Sequence, residues 1–235
     1  MTIFSIILAC GSVLGLVWIN LSPVGGDSDA RLNAGIWALL GALLGARLAY
    51  VSVNWPYFQT HPFEIVQPWL GGLSWIGAFA GGLLVITLSA WVFGLPLDFL
   101  MDDLLPLLAS LSVATWLGCW LTGCAYGPES NLGIPTRDEW GIWRNRFPVQ
   151  LIAALAVIVL FWGIEQIRNR EWGGTPGLVA SLGVGGLSLI LLGASVFRAD
   201  PYPLYNGIRL ETWGAFIFLG ISLLSGILVI VLNRR

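Results

Sequence analysis

Hydrophobic positions along the chain form long runs that are separated by short polar segments. A membrane-spanning helix needs about 20 predominantly apolar residues, and seven stretches meet this requirement. They are residues 2–19, 33–53, 70–93, 104–124, 148–164, 176–196 and 212–232. The pattern predicts an all-α polytopic integral membrane protein, with seven transmembrane helices in a single membrane domain, residues 1–235.

The composition agrees with this prediction. Hydrophobic residues make up 57% of the chain and charged residues 10%, and the mean hydropathy is +0.82. A water-soluble core cannot enclose this fraction of apolar surface, so the bilayer must solvate most of it. Because the net charge is -2 and no basic tract is present, we expect contacts with membrane lipids and none with nucleic acid.

The first hydrophobic stretch contains a segment similar to a lipoprotein cleavage site, Ile7-Leu8-Ala9-Cys10-Gly11. No arginine or lysine precedes the apolar run, and apolar sequence continues through Ile19. A signal peptide usually has a charged start and a shorter apolar region. We therefore expect an uncleaved first helix.

Glycine and tryptophan are both frequent, with 30 and 13 residues. Small residues inside spans let helix backbones approach closely in lipid, so the glycines indicate a compact bundle. Many tryptophans stand near predicted span ends, as an interfacial aromatic belt requires. These are Trp18, Trp55, Trp69, Trp91, Trp140, Trp162, Trp172 and Trp213.

Two glycine-rich stretches, residues 71–77 and 116–127, lie within predicted spans. Paired glycines loosen a helix and free backbone amides, which must then find partners in protein or in a water-filled cavity. Such a place suits an anionic lipid headgroup.

These stretches also carry a family resemblance. Residues 45–51, 71–77, 117–127, 148–151 and 197–198 resemble bacterial prolipoprotein diacylglyceryl transferases in their order and spacing. Members of that family are seven-helix enzymes of the inner membrane. They move a diacylglyceryl group from phosphatidylglycerol to a cysteine of a preprolipoprotein, and glycerol phosphate leaves. The resemblance implies this fold and a multi-pass protein of the bacterial inner membrane.

The reactive side chains of that family are absent at the matching positions. The resemblance aligns the family's histidine base with Ile76 and its phosphate-binding arginine with Trp116. Its two asparagines, its glutamate and a second histidine align with Cys119, Thr122, Cys124 and Phe147. Isoleucine cannot accept a proton, and an indole carries no positive charge. We therefore expect no catalytic residue among these six positions.

Several cations remain as candidates for contact with a lipid headgroup. Arg47 stands near the end of the second span, where the resemblance implies a headgroup contact; the alternative is an interfacial anchor. Arg144, Arg146 and Arg198 stand on one face and would converge on a phosphate. The alternative for these three is a set of solvated loop charges that pair with Asp138, Glu139 or Asp200.

The candidates for lining a lipid cavity are Tyr50, Trp75, Trp116, Trp120 and Gln150. Large apolar walls favour an acyl chain, an isoprenoid tail, a quinone or a pigment over a charged reaction centre. We predict no obligatory cofactor; the expected ligand is a bound phospholipid, quinone or pigment.

No metal site is predicted. Cys119 and Cys124 are five residues apart without a nearby histidine, so we interpret them as buried thiols, and three cysteines in an apolar setting do not support a disulfide framework. His61, the only histidine, is interpreted as a surface residue. Asp102 and Asp103 are interpreted as helix-start charges or interfacial residues.

Charge alone does not orient the chain, because the loop arginines divide evenly between the two ends of the predicted helices. One end has Arg137, Arg144, Arg146, Arg198 and Arg209, and the other has Arg31, Arg168, Arg170, Arg234 and Arg235. The resemblance implies that the N-terminus is outside and that Arg234 and Arg235 are cytoplasmic.

Two functions follow from these observations. In the favoured one, the protein is a diverged, non-catalytic member of the transferase fold, an accessory subunit of a larger membrane complex, such as an energy-transducing one, and holds lipid or a quinone-like molecule. In the alternative, it is an active phosphatidylglycerol-prolipoprotein diacylglyceryl transferase or a related lipid transferase. The first is favoured because a fold does not carry a function without its site residues.

Overall fold

The computed structural model describes residues 2–22, 28–168 and 175–233. Seven of its helices are long and apolar enough to cross a membrane, which confirms the predicted fold class. They are α1 (Thr2–Leu21), α2 (Ser28–Val53), α4 (Trp75–Phe93), α6 (Leu105–Thr122), α7 (Val149–Arg168), α8 (Leu178–Phe197) and α9 (Leu210–Asn233).

Shorter elements connect these helices. They are the helices α3 (Trp55–Phe58) and α5 (Leu97–Asp103), two 3-10 turns (Pro62–Val66 and Pro68–Leu70), an antiparallel hairpin of β1 (Glu129–Arg137) and β2 (Trp143–Arg146), and a two-residue pair of β3 (Leu204–Tyr205) and β4 (Ile208–Arg209). Because successive spans alternate in direction, residues 54–74, 123–148 and 198–209 all lie at one end of the bundle. We call it the hairpin end; α5 lies at the opposite end.

The helix boundaries differ from the predicted spans where glycines redirect the backbone. The third span begins at Trp75 and not at residue 70, because Gly71 and Gly72 have φ values of 96° and 73°, outside the helical region. The fourth span ends at Thr122, since Gly123 is left-handed with φ 82°. Trp172, Arg170, Arg234 and Arg235 lie outside the described residues.

Two buried clusters form the interior. One joins α6, α7 and α8 around Leu105, Trp116 and Val157, and the other joins α1, α2, α4 and α5 around Ile19 and Leu100. The outward faces of the seven helices are apolar and exposed. This surface faces lipid, because water would not solvate it.

The closest helix contact is between α2 and α4. A Cβ atom on Gly45 would collide with the carbonyl oxygen of Gly77, and a Cβ atom on Gly77 would collide with that of Gly45. Gly41 and Gly81 face each other in the same way one turn further along. The two backbones are in contact here, as small residues allow in lipid.

At the opposite end, Asp102 joins α5 to the start of α8. Its carboxylate accepts hydrogen bonds from the N–H groups of Gly177 (2.7 Å) and Ala180 (2.6 Å). Asp103 instead faces Arg31 at 3.7 Å. Burial raises the pKa of Asp102 to about 6, although the two N–H donors oppose the shift. The predicted helix-start role therefore fits Asp102, but the helix whose start it binds is α8, which is distant in sequence.

Substituting Gly77→Ala should destabilise the bundle, because the added methyl group cannot fit between the two backbones. Overpacking of this kind costs about 1–3 kcal/mol, and we expect a lower midpoint of thermal unfolding in detergent micelles. Gly220→Ala is the matched control, since a Cβ atom there meets nothing within 4 Å. An equal effect of both substitutions would contradict the close α2–α4 contact.

Candidate functional site

The position aligned with the family's base lies at the start of α4 and packs against α9. A Cβ atom on Gly214 would lie 2.7 Å from Cγ1 of Ile76. Next to it, the rings of Trp75 and Phe218 pack with their centroids 5.7 Å apart. Ile76 therefore fills the contact between two helices, and its side chain has no proton-accepting atom.

The position aligned with the phosphate-binding arginine is also packed. Trp116 is 7% exposed and belongs to the buried cluster that includes Val149 and Ala153. Its indole contributes apolar surface between α6 and α7. Phe147, at the position of the family's second histidine, packs against Phe197 with 5.6 Å between ring centroids.

Cys119 and Cys124 form a disulfide, so the prediction of buried thiols was wrong. A straight helix would separate them, but α6 ends first. The left-handed Gly123 reverses the chain, and the N–H groups of Gly123 and Cys124 both donate to the Cys119 carbonyl at 2.9 and 3.0 Å. This turn reduces the Cα–Cα distance of the two cysteines to 4.6 Å, within the range that a disulfide spans.

Two further site candidates support this turn. Thr122 donates a hydrogen bond to the Gly118 carbonyl at 2.8 Å and lies 3.7 Å from Sγ of Cys124. Gln150 is completely buried, and its Nε2 donates to the Cys124 carbonyl at 2.9 Å. The Oε1 atom of Gln150 has no hydrogen-bond partner within the described part of the chain.

The aromatic candidates lie in different surroundings. Tyr50 covers Gly72 with its ring, whereas Trp116 belongs to the α6–α7 interior; Trp120 is half-buried. Two recesses at the hairpin end have volumes of about 450 and 210 Å³. Within the described chain, neither is lined by Tyr50, Trp75, Trp116, Trp120 or Gln150.

Arg47 is buried and connects α2 to the loop before α4. Its guanidinium donates hydrogen bonds to the backbone carbonyl oxygens of Glu64, Ile65, Gly71 and Gly72. The Cζ atom also lies 5.2 Å from the centre of the Phe58 ring. These contacts fix the loop and occupy four of the five N–H donors of the guanidinium.

Arg144 and Arg146 stand on the same strand but differ in environment. Arg144 is half-exposed and pairs with Glu129. Arg146 is buried: its Nη2 lies 3.3 Å from Asp138 Oδ2, and its Cζ lies 4.2 Å from the centre of the Tyr126 ring. The Nε atom of Arg146 has no hydrogen-bond partner among the described residues.

Arg198 stands at the centre of a paired network between α8 and α9. Its guanidinium donates to both carboxylate oxygens of Asp200, at 2.8 and 2.6 Å, and to Glu211. Arg209 donates to Asp200 at 3.4 Å and to the Arg198 carbonyl at 2.9 Å. Tyr202 also contacts this group, with its ring centre 5.8 Å from the Arg198 Cζ.

The Arg146 and Arg198 groups meet at Tyr126. While Arg146 covers the Tyr126 ring, the Tyr126 carbonyl accepts a hydrogen bond from Ala199 at 2.8 Å. Burial, together with a hydrogen bond to Glu139, raises the pKa of Tyr126 to about 12. Arg146 and the segment that follows Arg198 therefore both contact Tyr126, whereas Arg144 lines a separate recess.

The charges of this region are internally neutralised. Burial opposes the positive charge of Arg198, but Asp200 and Glu211 outweigh it and raise its pKa. Burial would raise the pKa of Asp138, yet two backbone N–H donors and Arg146 lower it overall. Pairing with Asp138 and Asp200 matches the alternative interpretation of these arginines, although both pairs are buried and not solvated.

Sequence reasoning missed Glu211, Arg209, Tyr126 and Tyr202. Tyr126 belongs to the second glycine-rich stretch, and Glu211 is the acidic residue at the start of the last span; these were the available signals. No cluster of three or more metal-ligating side chains occurs among residues 2–22, 28–168 and 175–233.

Comparisons with known proteins agree with the resemblance. The family model for prolipoprotein diacylglyceryl transferase matches residues 1–231. A phosphatidylglycerol–prolipoprotein diacylglyceryl transferase of Fervidobacterium nodosum is 30% identical over 221 residues, which cover 83% of this chain and 74% of that protein. The homologue of Nitrosospira multiformis is 29% identical over 81% of this chain and 64% of its own length.

A third relative, from Thermosynechococcus vestitus, bears the same name and is 31% identical over 117 residues. The match covers 50% of this chain and 41% of that protein.

Removing the disulfide should destabilise the hairpin end. Closing so short a loop contributes on the order of 2 kcal/mol, so Cys119→Ser with Cys124→Ser should lower the midpoint of thermal unfolding, as should a reductant. Cys10→Ser, at an exposed helix position, is the control. Alkylation should modify one cysteine without reductant and all three after reduction; three modified cysteines in both samples would refute the disulfide.

Proposed function

Because the chain belongs to the prolipoprotein diacylglyceryl transferase family, we propose that it is a lipid-binding member of that family that does not transfer diacylglyceryl groups and acts as a subunit of a larger membrane complex. The observation that carries this proposal is the packing of Ile76 and Trp116. The resemblance aligns both with reactive side chains of the family, and both side chains pack between helices.

The chemistry of the reaction explains why this packing matters. A cysteine thiol attacks as a thiolate, and a free thiol has a pKa of about 8.5, so a nearby base is needed. The leaving phosphate in turn needs a fixed positive charge as its own charge develops. Ile76 offers no base, and the indole of Trp116 offers no charge.

Arg146 and Arg198 do not replace the lost cation. Arg198 is paired with two carboxylates, and Arg146 is paired with Asp138. A fixed cation stabilises a developing negative charge only where its own field is not already cancelled. Transition-state stabilisation by these two side chains would therefore require the carboxylates to move.

Lipid binding is supported by polar atoms that the described chain leaves without partners. Arg146 Nε is a buried donor and Gln150 Oε1 a buried acceptor, and buried polar groups normally have a hydrogen-bond partner. A glycerophospholipid headgroup supplies both kinds of partner, a phosphate oxygen and a hydroxyl group. A quinone carbonyl or a pigment would supply only some of them.

The subunit role rests on the same loss of chemistry, since a fold without its site residues keeps its binding and packing surfaces.

One observation favours the second candidate function, an active transferase. Glu211 stands one helical turn before Gly214, against which Ile76 packs. A carboxylate therefore lies near the position of the family's base, although it is paired with Arg198.

We expect the purified protein, in phosphatidylglycerol vesicles with a lipobox peptide, to give no peptide that carries a diacylglyceryl thioether by mass spectrometry. The Fervidobacterium nodosum relative serves as the positive control under the same conditions. Transfer by this protein that is lost in Glu211→Gln and retained in Glu165→Gln would overturn the proposal in favour of the second candidate. Glu165 is the control because it lies at the other end of the bundle.

The subunit role has its own test. After mild extraction from native membranes, we expect the protein to co-migrate with other proteins during size exclusion, with phospholipid bound. Recovery as a single chain without partners would contradict the subunit role. Mass spectrometry of the lipophilic fraction distinguishes phospholipid from quinone and pigment.

A further inference from the structure

The β1–β2 hairpin exposes large apolar side chains although it lies outside the seven spans. Leu132 is 96% exposed, Trp140 81% and Trp143 66%, and Ile142 is also exposed. Trp140, Ile142 and Trp143 lie at or next to the turn, whereas Leu132 lies at the other end of the hairpin. Several large exposed apolar side chains in one turn indicate an interface, because water solvates them poorly.

The turn of the hairpin is rigid. The N–H of Asp138 donates to the Ile142 carbonyl at 3.1 Å, and the Asp138 Oδ1 atom accepts hydrogen bonds from the N–H groups of Trp140 (3.1 Å) and Ile142 (2.9 Å). Arg146 holds the other carboxylate oxygen. The exposed position of Trp140 is therefore fixed by the backbone, because the residue stands in a closed turn.

The turn is also held at the rim of the helix bundle. The carbonyls of Arg137 and Asp138 contact Gly123 so closely that a Cβ atom there would collide with Asp138. Residues 137–139 and Gly141 share a recess with Ile3 of α1 and with Leu121 of α6. Trp140 and Ile142 therefore lie beside the ends of two spans.

The position of the turn beside α1 and α6 indicates that lipid contacts its exposed apolar side chains. Ile3 and Leu121 are exposed residues of membrane-spanning helices, so their outward surface is in contact with lipid. The turn adjoins these helices where α1 begins and α6 ends, because it shares a recess with Ile3 and Leu121. At that depth, tryptophan is favoured, because its ring is apolar and its N–H group reaches polar headgroups.

We propose that the turn of the β1–β2 hairpin inserts Trp140 and Ile142 into the interfacial layer of the surrounding membrane and thereby anchors the ends of α1 and α6. The anchor does not depend on the proposed function. A lipid surface is the favoured occupant because the turn stands beside Ile3 and Leu121, which are exposed residues of membrane-spanning helices. A partner protein or a second copy of the chain would instead seal the turn from both lipid and water.

Site-directed spin labelling tests this anchor in the full chain. Cys10→Ala removes the exposed thiol, and Ile142→Cys then places a nitroxide beside the intact Trp140. In vesicles of phosphatidylethanolamine and phosphatidylglycerol, we expect collisions with oxygen to exceed collisions with a nickel chelate. Asn131→Cys, on the polar recess of the same hairpin, is the matched control and should show the opposite preference.

Two outcomes would overturn the anchor. A label at position 142 that favours the nickel chelate, as at position 131, would show that the turn is in water. A label that is immobilised and shielded from both reagents would show that protein covers it. Trp140→Ser in the Ile142→Cys background should shift the label severalfold towards the nickel chelate, and because Trp140 is exposed, the variant should keep its helical circular dichroism.

Discussion

Buried arginines join the loops of this protein to the ends of its helices, and the hairpin end depends on them. A guanidinium near hydrocarbon must have partners, because an unpaired charge there is costly. Arg47 donates hydrogen bonds to carbonyls of the loop before α4, and Arg198 pairs with Asp200 and Glu211. Arg146 pairs with Asp138 through Nη2 and lies over the Tyr126 ring. The Arg47 contacts link segments that are 17 to 25 residues apart in sequence.

The same pairing limits what these arginines do chemically. An arginine that holds two carboxylates stabilises the fold around it but presents little net positive potential to a phosphate. Arg198 is in this position. The proposed loss of group transfer therefore has two components, the missing side chains at Ile76 and Trp116 and the neutralised cations that remain.

The sequence predicted the membrane fold well and the site less well, for a physical reason. Span prediction needs only local composition, because about 20 apolar residues are a span wherever they occur. The Cys119–Cys124 disulfide forms across a left-handed turn at Gly123, and residue spacing on an ideal helix does not predict that turn. The Glu211–Arg198 pair likewise depends on how α8 and α9 pack, although the acidic residue was visible at the start of the last span.

Three contacts that hold the frame do not involve the positions that the reaction would need. Gly45 and Gly77 bring α2 and α4 together, Arg47 holds the loop before α4, and Asp138 closes the hairpin turn. None of these three contacts passes through Ile76, Trp116 or Phe147. Apolar side chains at those three positions add packing without disturbing the frame, because buried apolar surface stabilises wherever it fits. The proposed absence of the family's base and cation is therefore compatible with a transferase-like architecture.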